Sequence, residues 1–484
     1  MFAIYAYFVG GYINNPMTNA SADLAIAMVD DHSLQIDPYA GNTSDVAGRG
    51  GHIYSGFGPG LGFIFAPLYA ALKPAFALLP ADSLRRMDKR LYDGAVVLSP
   101  QIRDTGGRTI AVLLVIAGTL AVAIPLVIAC SLCMPGMCRR YAPRLDDPGA
   151  LAALTLFAFG SLGLAFATNF VHTSVAAWLI WIVVCSAASM GERPLSIARL
   201  AALGFALGLA AITDYPAVLF SAYAGAFVLW KCARTDRLKA TGALTLGASI
   251  PLGSSLLYHF FAFGHALTNA YRFRLRATDQ HVFDVSDIGS SLPNLAKLYI
   301  AFIGPVSGIV WYQPVVLLGV VVAARWLLKT REPERRAFWA LALATMLTNL
   351  GIYCTYPVST GPGCLPEFGI RYMAYSVPFA VVALAALWSE VGENARRART
   401  ALVALMILNT VPVWVFVFYG LPVYPERGYA SLFARIGPGS YTLTKLHQGN
   451  ILTSPLWGWA GFAAVVALFT MWRRAAQAFV SRGA

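Results

Sequence analysis

The chain has 484 residues, 58% hydrophobic and 12% charged, with a formal net charge of +13 at pH 7. Its mean hydropathy is +0.62, whereas soluble domains are about 45–50% apolar and carry about 25% charged residues. That balance excludes an ordinary soluble enzyme and reads as a polytopic membrane protein. The basic excess alone would also suit a nucleic-acid partner. On so apolar a chain it instead records Lys and Arg held in cytoplasmic loops, and no nucleic acid is expected. Seven cysteines are spread thinly. Cys130, Cys133 and Cys138 have no His or fourth Cys beside them, and two of them fall inside an apolar run, so no metal site is expected there. Cys354 and Cys364 flank an expected outer loop, and a disulfide between them is the weaker reading.

The N-terminal MFAIYAYFVGGYI lacks the basic region and cleavage site of a signal peptide. It is also shorter than the roughly 20 residues needed to cross a bilayer, and the start codon is expected upstream. Next comes a polar, acidic stretch from Asn14 to Gly60, rich in Gly, Asn and Pro. A loop of this length without an apolar core of its own is a binding surface or a lid. Its second half carries Asp30, Asp31, His32, Asp37, Asp45, Arg49 and His52. Residues 61–80 are apolar but interrupted by Pro67 and Lys73, and are expected as a juxtamembrane or re-entrant helix. If they crossed, every later basic loop would face outward.

Apolar runs then cover 109–133, 150–168, 172–190, 197–213, 215–230, 240–262, 313–328, 337–354, 373–388, 401–420 and 456–472. With the N-terminal segment they predict about twelve transmembrane helices. Between 197 and 230 the run is punctuated by Thr213-Asp214-Tyr215-Pro216, where an intramembrane Asp and a Pro mark a break. The basic loops 138–144, 191–199, 231–239, 329–336, 395–399 and 472–474 fall on one side, the cytoplasmic one. The opposite loops, 14–108, 263–312, 355–372 and 421–455, hold the aromatic, Gly-rich and Pro-rich material. There is no internal repeat and no polar stretch long enough to bury its own core, so residues 1–484 read as a single integral membrane domain. The predicted fold class is an all-α polytopic membrane protein with a long first outer loop.

An acidic first loop followed by GHIYSGFGPGLGFIFAPLYA (51–70) resembles the first loop of bacterial GT-C glycosyltransferases. The likeness is to those related to protein O-mannosyltransferases and the lipid A aminoarabinose transferase. Many members read Gly-His-Tyr-Tyr-Ser-Asp-Lys-x-Pro-Gly there. This chain keeps Gly51, His52, Tyr54, Ser55, Pro59 and Gly60, with Gly56-Phe57 in place of Asp-Lys. Further echoes follow in order: Asp214-Tyr215-Pro216, FGHALTNAYRF (263–273), GPVSGIVWYQPVVLL (304–318) and FGIRYMAYSVPF (368–379). The resemblance implies a GT-C fold in a bacterial inner membrane, with the active site on the periplasmic face. It implies a polyprenyl-phosphate sugar donor, attacked with inversion by a hydroxyl of a glycan, lipid or protein acceptor. No cofactor or divalent metal is expected, and the absence of Asp-x-Asp argues against a metal-dependent nucleotide-sugar enzyme.

Such a reaction needs a carboxylate base near the acceptor hydroxyl and cationic or amide donors for the leaving phosphate. It also needs a greasy lateral groove for the lipid, which juxtamembrane helices can form. Asp23 and Asp45 are the candidate bases, Asp23 ranked first because the family's acidic residue lies early in this loop. Asp23 also reads as a carboxylate favoured by a helix start, and Asp45 as an ordinary Asx turn. Arg371 is the foremost phosphate ligand, with Glu367 to orient it, and also reads as an interfacial snorkelling Arg. Arg272 and Arg274 are expected to share the phosphate charge, since the motif lacks its Lys. His52, Tyr54, His172 and Asp214 are candidate substrate contacts. Tyr271 is a candidate sugar-stacking ring, although it and Trp311 also suit an interfacial aromatic belt. The alternative function is a transporter or flippase of lipid-linked glycans, which predicts paired halves with broken helices. A noncatalytic membrane scaffold would not need the acidic loop.

Overall fold

The computed structural model describes residues 1–9, 16–43, 45–84, 108–168, 170–190, 196–275, 295–304, 308–355, 372–391, 395–419 and 455–482. Two helices, α1 (Phe2–Phe8) and α2 (Pro16–Asp30), precede a hairpin of β1 (Val46–Arg49) and β2 (His52–Ser55), and α3 (Gly60–Phe76) follows. Then come α4 (Thr109–Tyr141), α5 (Asp147–Phe159), α6 (Leu162–Ala167), α7 (His172–Ala188), α8 (Ile197–Thr213), α9 (Ala217–Lys231) and α10 (Arg237–Phe263). The remainder is α11 (Leu295–Phe302), α12 (Ile309–Tyr312), α13 (Pro314–Lys329), α14 (Pro333–Thr355), α15 (Val377–Glu390), α16 (Arg396–Tyr419) and α17 (Pro455–Arg482).

Among the described residues three helices are long and apolar enough to cross a membrane: Thr109–Tyr141, Arg237–Phe263 and Pro333–Cys354. Shorter apolar helices accompany them, among them α3, α5, α7, α8, α9 and α15. The run 150–168 does not form one span. Ser161 ends α5 by donating its hydroxyl to the Phe157 carbonyl at 2.7 Å, and caps α6 by accepting from the Gly163 amide at 3.1 Å. Helix α4 is continuous well past residue 133 and carries a π turn at Thr119–Ala123. Neither α7 nor α15 has a polar face to turn toward a solvent, so both lie inside the bundle. Trp178 and Trp181 of α7 are fully buried beside Phe157 and Phe379.

The first polar stretch is not a bare loop. Residues 17–27 are buried as one inward-packed helix, built on Ala20, Ala22, Ala25 and Ala27, the residue type of highest helix propensity. Leu24 of α2 lies against Gly62 of α3. Asp30 joins the two helices by accepting from the Tyr69 hydroxyl at 2.7 Å and pairing with Lys73 Nζ at 2.7 Å. Lys73 therefore ties α3 down, and α3 continues through Pro67 and Pro74. The hairpin departs from a purely helical expectation. Its turn residues Gly50 and Gly51 have φ of +61° and +85°, the left-handed pair that a two-residue type I′ connection requires. Arg49 then pairs directly with His52 across the strands.

Charged loop residues meet at one end of the bundle. Glu334 at the start of α14 accepts from Arg140 at 2.6 Å and pairs with Lys231 at 3.0 Å. Arg139 reaches Asp147 and the Val480 carbonyl, each at 2.7 Å. Glu390 holds Arg325 and Lys329 at 3.1 and 3.2 Å, and Asp146 holds Arg399 at 3.2 Å. Four of the basic loops read from the sequence, 138–144, 231–239, 329–336 and 395–399, thus carry ion pairs at this end, and the C-terminal tail joins them through the Val480 carbonyl. Helices α8 and α9 run away from this end to the break at 214–216 and back. The hairpin and the candidate site lie at that far end.

Candidate functional site

The far end is assembled from segments widely separated in the chain. Helix α8 stops at Thr213 because Pro216 cannot continue its backbone ladder, which leaves Asp214 as the helix C-cap. The Asp214 side chain is 2% exposed. A carboxylate at that depth requires hydrogen-bond donors or a counter-charge. Tyr375, in the short turn Met373–Tyr375 before α15, donates its hydroxyl to Asp214 Oδ2 at 2.6 Å. The Tyr375 ring stacks on Phe220 with centroids 4.2 Å apart, which fixes its direction. His172, the first residue of α7, brings Nε2 to 3.9 Å from Asp214 Oδ1, an electrostatic approach beyond hydrogen-bond range.

Phe57, just after β2, lies at the centre of the cluster. Its ring centroid is 5.2 Å from that of His172 and 5.5 Å from that of Tyr271, which it meets edge-on. Arg274 Cζ sits 5.5 Å from the same ring, within the range of a cation–π contact. The Arg274 guanidinium forms an ion pair with Asp45. Residues 274–275 extend the hairpin edge, since Leu275 N–H donates to the Val46 carbonyl at 2.9 Å. Tyr271 also meets Tyr215 edge-on at 5.5 Å, and the Tyr215 hydroxyl lies 3.0 Å from His259 Nε2. Gly58 lies against the Ile212 carbonyl and the Tyr215 ring, which seats the hairpin exit on the helix break.

Asp23 belongs to a neighbouring buried group. It lies in the middle of α2 rather than at its start, fully buried, and accepts from Asn42 Nδ2 at 3.0 Å. The Asn42 carbonyl accepts from Asn19 Nδ2 at 3.3 Å, and the Thr18 hydroxyl donates to the Phe170 carbonyl at 2.6 Å. These contacts turn the polar side of α2 inward, alongside the entry to α7. Asp45 is not a solvated turn residue, because its carboxylate is 7% exposed and committed to Arg274.

The remaining sequence candidates separate clearly. His172, Asp214, Tyr271 and Asp45 come together in one cluster. His52 is half exposed near the hairpin turn, with Nδ1 3.1 Å from Asp37 Oδ2. Tyr54 packs its ring 5.5 Å from Phe263 in an apolar layer with Leu24 and Tyr258. Arg272 is exposed, and its amide donates to the Asn269 side chain at 3.3 Å. Glu367 and Arg371 lie outside the described residues. Asp31 accepts from Tyr39 at 3.0 Å, and burial together with that bond pushes the Tyr39 phenol above its usual range.

Sequence reasoning missed Phe57, Tyr375 and Asn42. Phe57 was visible as a departure from the family motif, standing where a Lys is common. Tyr375 was visible inside FGIRYMAYSVPF, but its partner lies 161 residues away. Nothing local marks Asn42. Comparison with protein-family models, with curated proteins and with solved structures returned no match.

Proposed function

We propose that the protein is an inner-membrane glycosyltransferase of the GT-C type, with about twelve spans. In this reading it moves a sugar from a polyprenyl-phosphate donor to an acceptor hydroxyl on the outer face. The carrying observation is the cluster at the far end. It gathers Asp45, Phe57, His172, Asp214, Tyr271, Arg274 and Tyr375 at the end opposite the basic loops. Four of the five motif segments that suggested the family contribute to it: 51–60, 214–216, 263–273 and 368–379. The basic end faces the cytoplasm by the charge rule, which turns the cluster outward.

In the proposed reaction the acceptor oxygen attacks the anomeric carbon as the bond to the lipid-phosphate oxygen breaks. The hydroxyl proton passes to a carboxylate, and the lipid phosphate leaves with the bonding pair. Asp23 is the favoured base, because Asp45 is engaged by Arg274. Arg274 is the described cation best placed to draw the phosphate, sharing that charge with Arg371. Asp214, oriented by Tyr375, is suited to hold sugar hydroxyls, and Tyr271 to stack on the ring.

The test is release of lipid phosphate from a labelled polyprenyl-phosphate sugar by purified protein. Asp23→Asn is expected to lower the rate by about 10²–10⁴-fold, the usual contribution of a positioned general base, while helicity is unchanged. Release that persists in the Asp23→Asn/Asp45→Asn double variant removes both bases. The second reading, a flippase for lipid-linked glycans, draws on the broken helix and buried charge at Asp214. Movement of a glycolipid across vesicles without any release of lipid phosphate would favour it.

A further inference from the structure

Helices α8, α9 and α10 enclose a groove of about 410 Å³, lined by residues such as Ala222, Gly225, Leu229, Leu244, Ala248 and Leu252. Its origin is a difference in packing. Gly204 and Gly247 let the α8 and α10 backbones touch, leaving no room for a Cβ at either position, as in small-residue helix pairs within membranes. Helix α9 is held from the other side, where the Tyr223 hydroxyl lies 3.0 Å from Thr348 of α14. The wedge left between α9 and α10 is the groove. Apolar side chains that line it also face outward, with Val218 50% and Leu252 40% exposed.

The groove reaches Leu229 and Thr241 near the basic end, where the α9–α10 connection carries a group of interfacial residues. Leu238 is 84% exposed and Trp230 39% exposed. Arg237 and Lys239 are exposed beside them, and Arg237 donates to the Trp230 carbonyl at 3.5 Å. Aromatic and apolar anchors with exposed cations are what a membrane interface selects, and the cations attract anionic headgroups.

We propose that this groove holds one acyl chain of an anionic phospholipid, its headgroup resting on Arg237 and Lys239. The inference uses the membrane placement argued above but none of the transfer chemistry. Both lipids are anionic, so the position of these cations is what favours a phospholipid over a sugar donor. The carboxylate cluster that a donor would serve lies at the opposite end of α8 and α9.

The experiment is native mass spectrometry of delipidated full-length protein titrated with dioleoyl phosphatidylglycerol or dioleoyl phosphatidylcholine. One phosphatidylglycerol per chain is expected, bound about tenfold more tightly than phosphatidylcholine. Arg237→Gln with Lys239→Gln, both on the surface, is expected to erase that preference. Gly225→Leu is expected to lower phosphatidylglycerol binding about tenfold. A Cβ at Gly225 meets only Leu207 Cδ1 at 3.6 Å, so the backbone accommodates it. Equal binding of the two lipids, or undiminished binding by Gly225→Leu, overturns the proposal. So does one-for-one displacement of phosphatidylglycerol by undecaprenyl phosphate, which would assign the groove to the donor tail. The readout is retained lipid and is independent of whether sugar is transferred.

Discussion

Glu334 and Asp214 are both carboxylates at helix ends, and their surroundings are opposite. The Glu334 side chain is 26% exposed and is met by Arg140 at 2.6 Å and Lys231 at 3.0 Å. The Asp214 side chain is 2% exposed and is met by a phenol at 2.6 Å and an imidazole at 3.9 Å. The first arrangement pins three helix ends together with two cations on one carboxylate, and Arg140 and Glu334 remain in reach of water. The second holds a carboxylate among aromatic rings, out of reach of water. A chain that only needed to hold helices together could use the first pattern at both ends. Burial of Asp214 and Asp45 in a shared aromatic cluster is the pattern expected where charge has chemical work.

That contrast can be broken by mutation at either end. The largest effect on stability is expected from Arg274→Ala, which leaves the Asp45 carboxylate buried without its cation. The loss should be about 3–5 kcal/mol in denaturant unfolding of detergent-solubilised protein. The double variant Asp45→Asn/Arg274→Gln should recover more than half of it. Tyr375→Phe comes next, removing the Asp214 donor at a cost of about 1–3 kcal/mol, read by thermal unfolding. Gly51→Ala places a side chain in the left-handed region at φ +85° and should cost about 1–2 kcal/mol. At the basic end, Arg140→Gln is expected to cost no more than about 1 kcal/mol, with a difference that shrinks in high salt. If Arg140→Gln proved as damaging as Arg274→Ala, the two ends would not differ in kind.

Legibility in the sequence followed the range of the interaction responsible. Apolar runs are local, and 172–190, 197–213, 240–262 and 313–328 became helices at nearly those bounds. Pro216 acts within one turn, so the break at 214–216 was readable as well. The run 150–168 reads as one span because its composition is uniformly apolar. What divides it is the Ser161 hydroxyl, bonded to Phe157 and Gly163. The stretch 14–60 reads as a loop where its charges outweigh its Ala content. Its helix α2 hides Thr18, Asn19 and Asp23 against the protein. The Gly50-Gly51 turn needed only recognition of the type I′ signature.

Composition and basic-loop placement were therefore enough to establish an apolar, helical chain in which the basic loops 138–144, 231–239, 329–336 and 395–399 meet at one end. Those properties depend on transfer free energies summed along local segments. Which acidic side chains are buried, and what answers them, was decided only in three dimensions. Asp45 meets Arg274, Asp214 meets Tyr375, and Phe57 stands between His172 and Tyr271. The reason is that a buried charge is compatible with the fold only beside partners that packing delivers, and packing joins residues without regard to their separation along the chain.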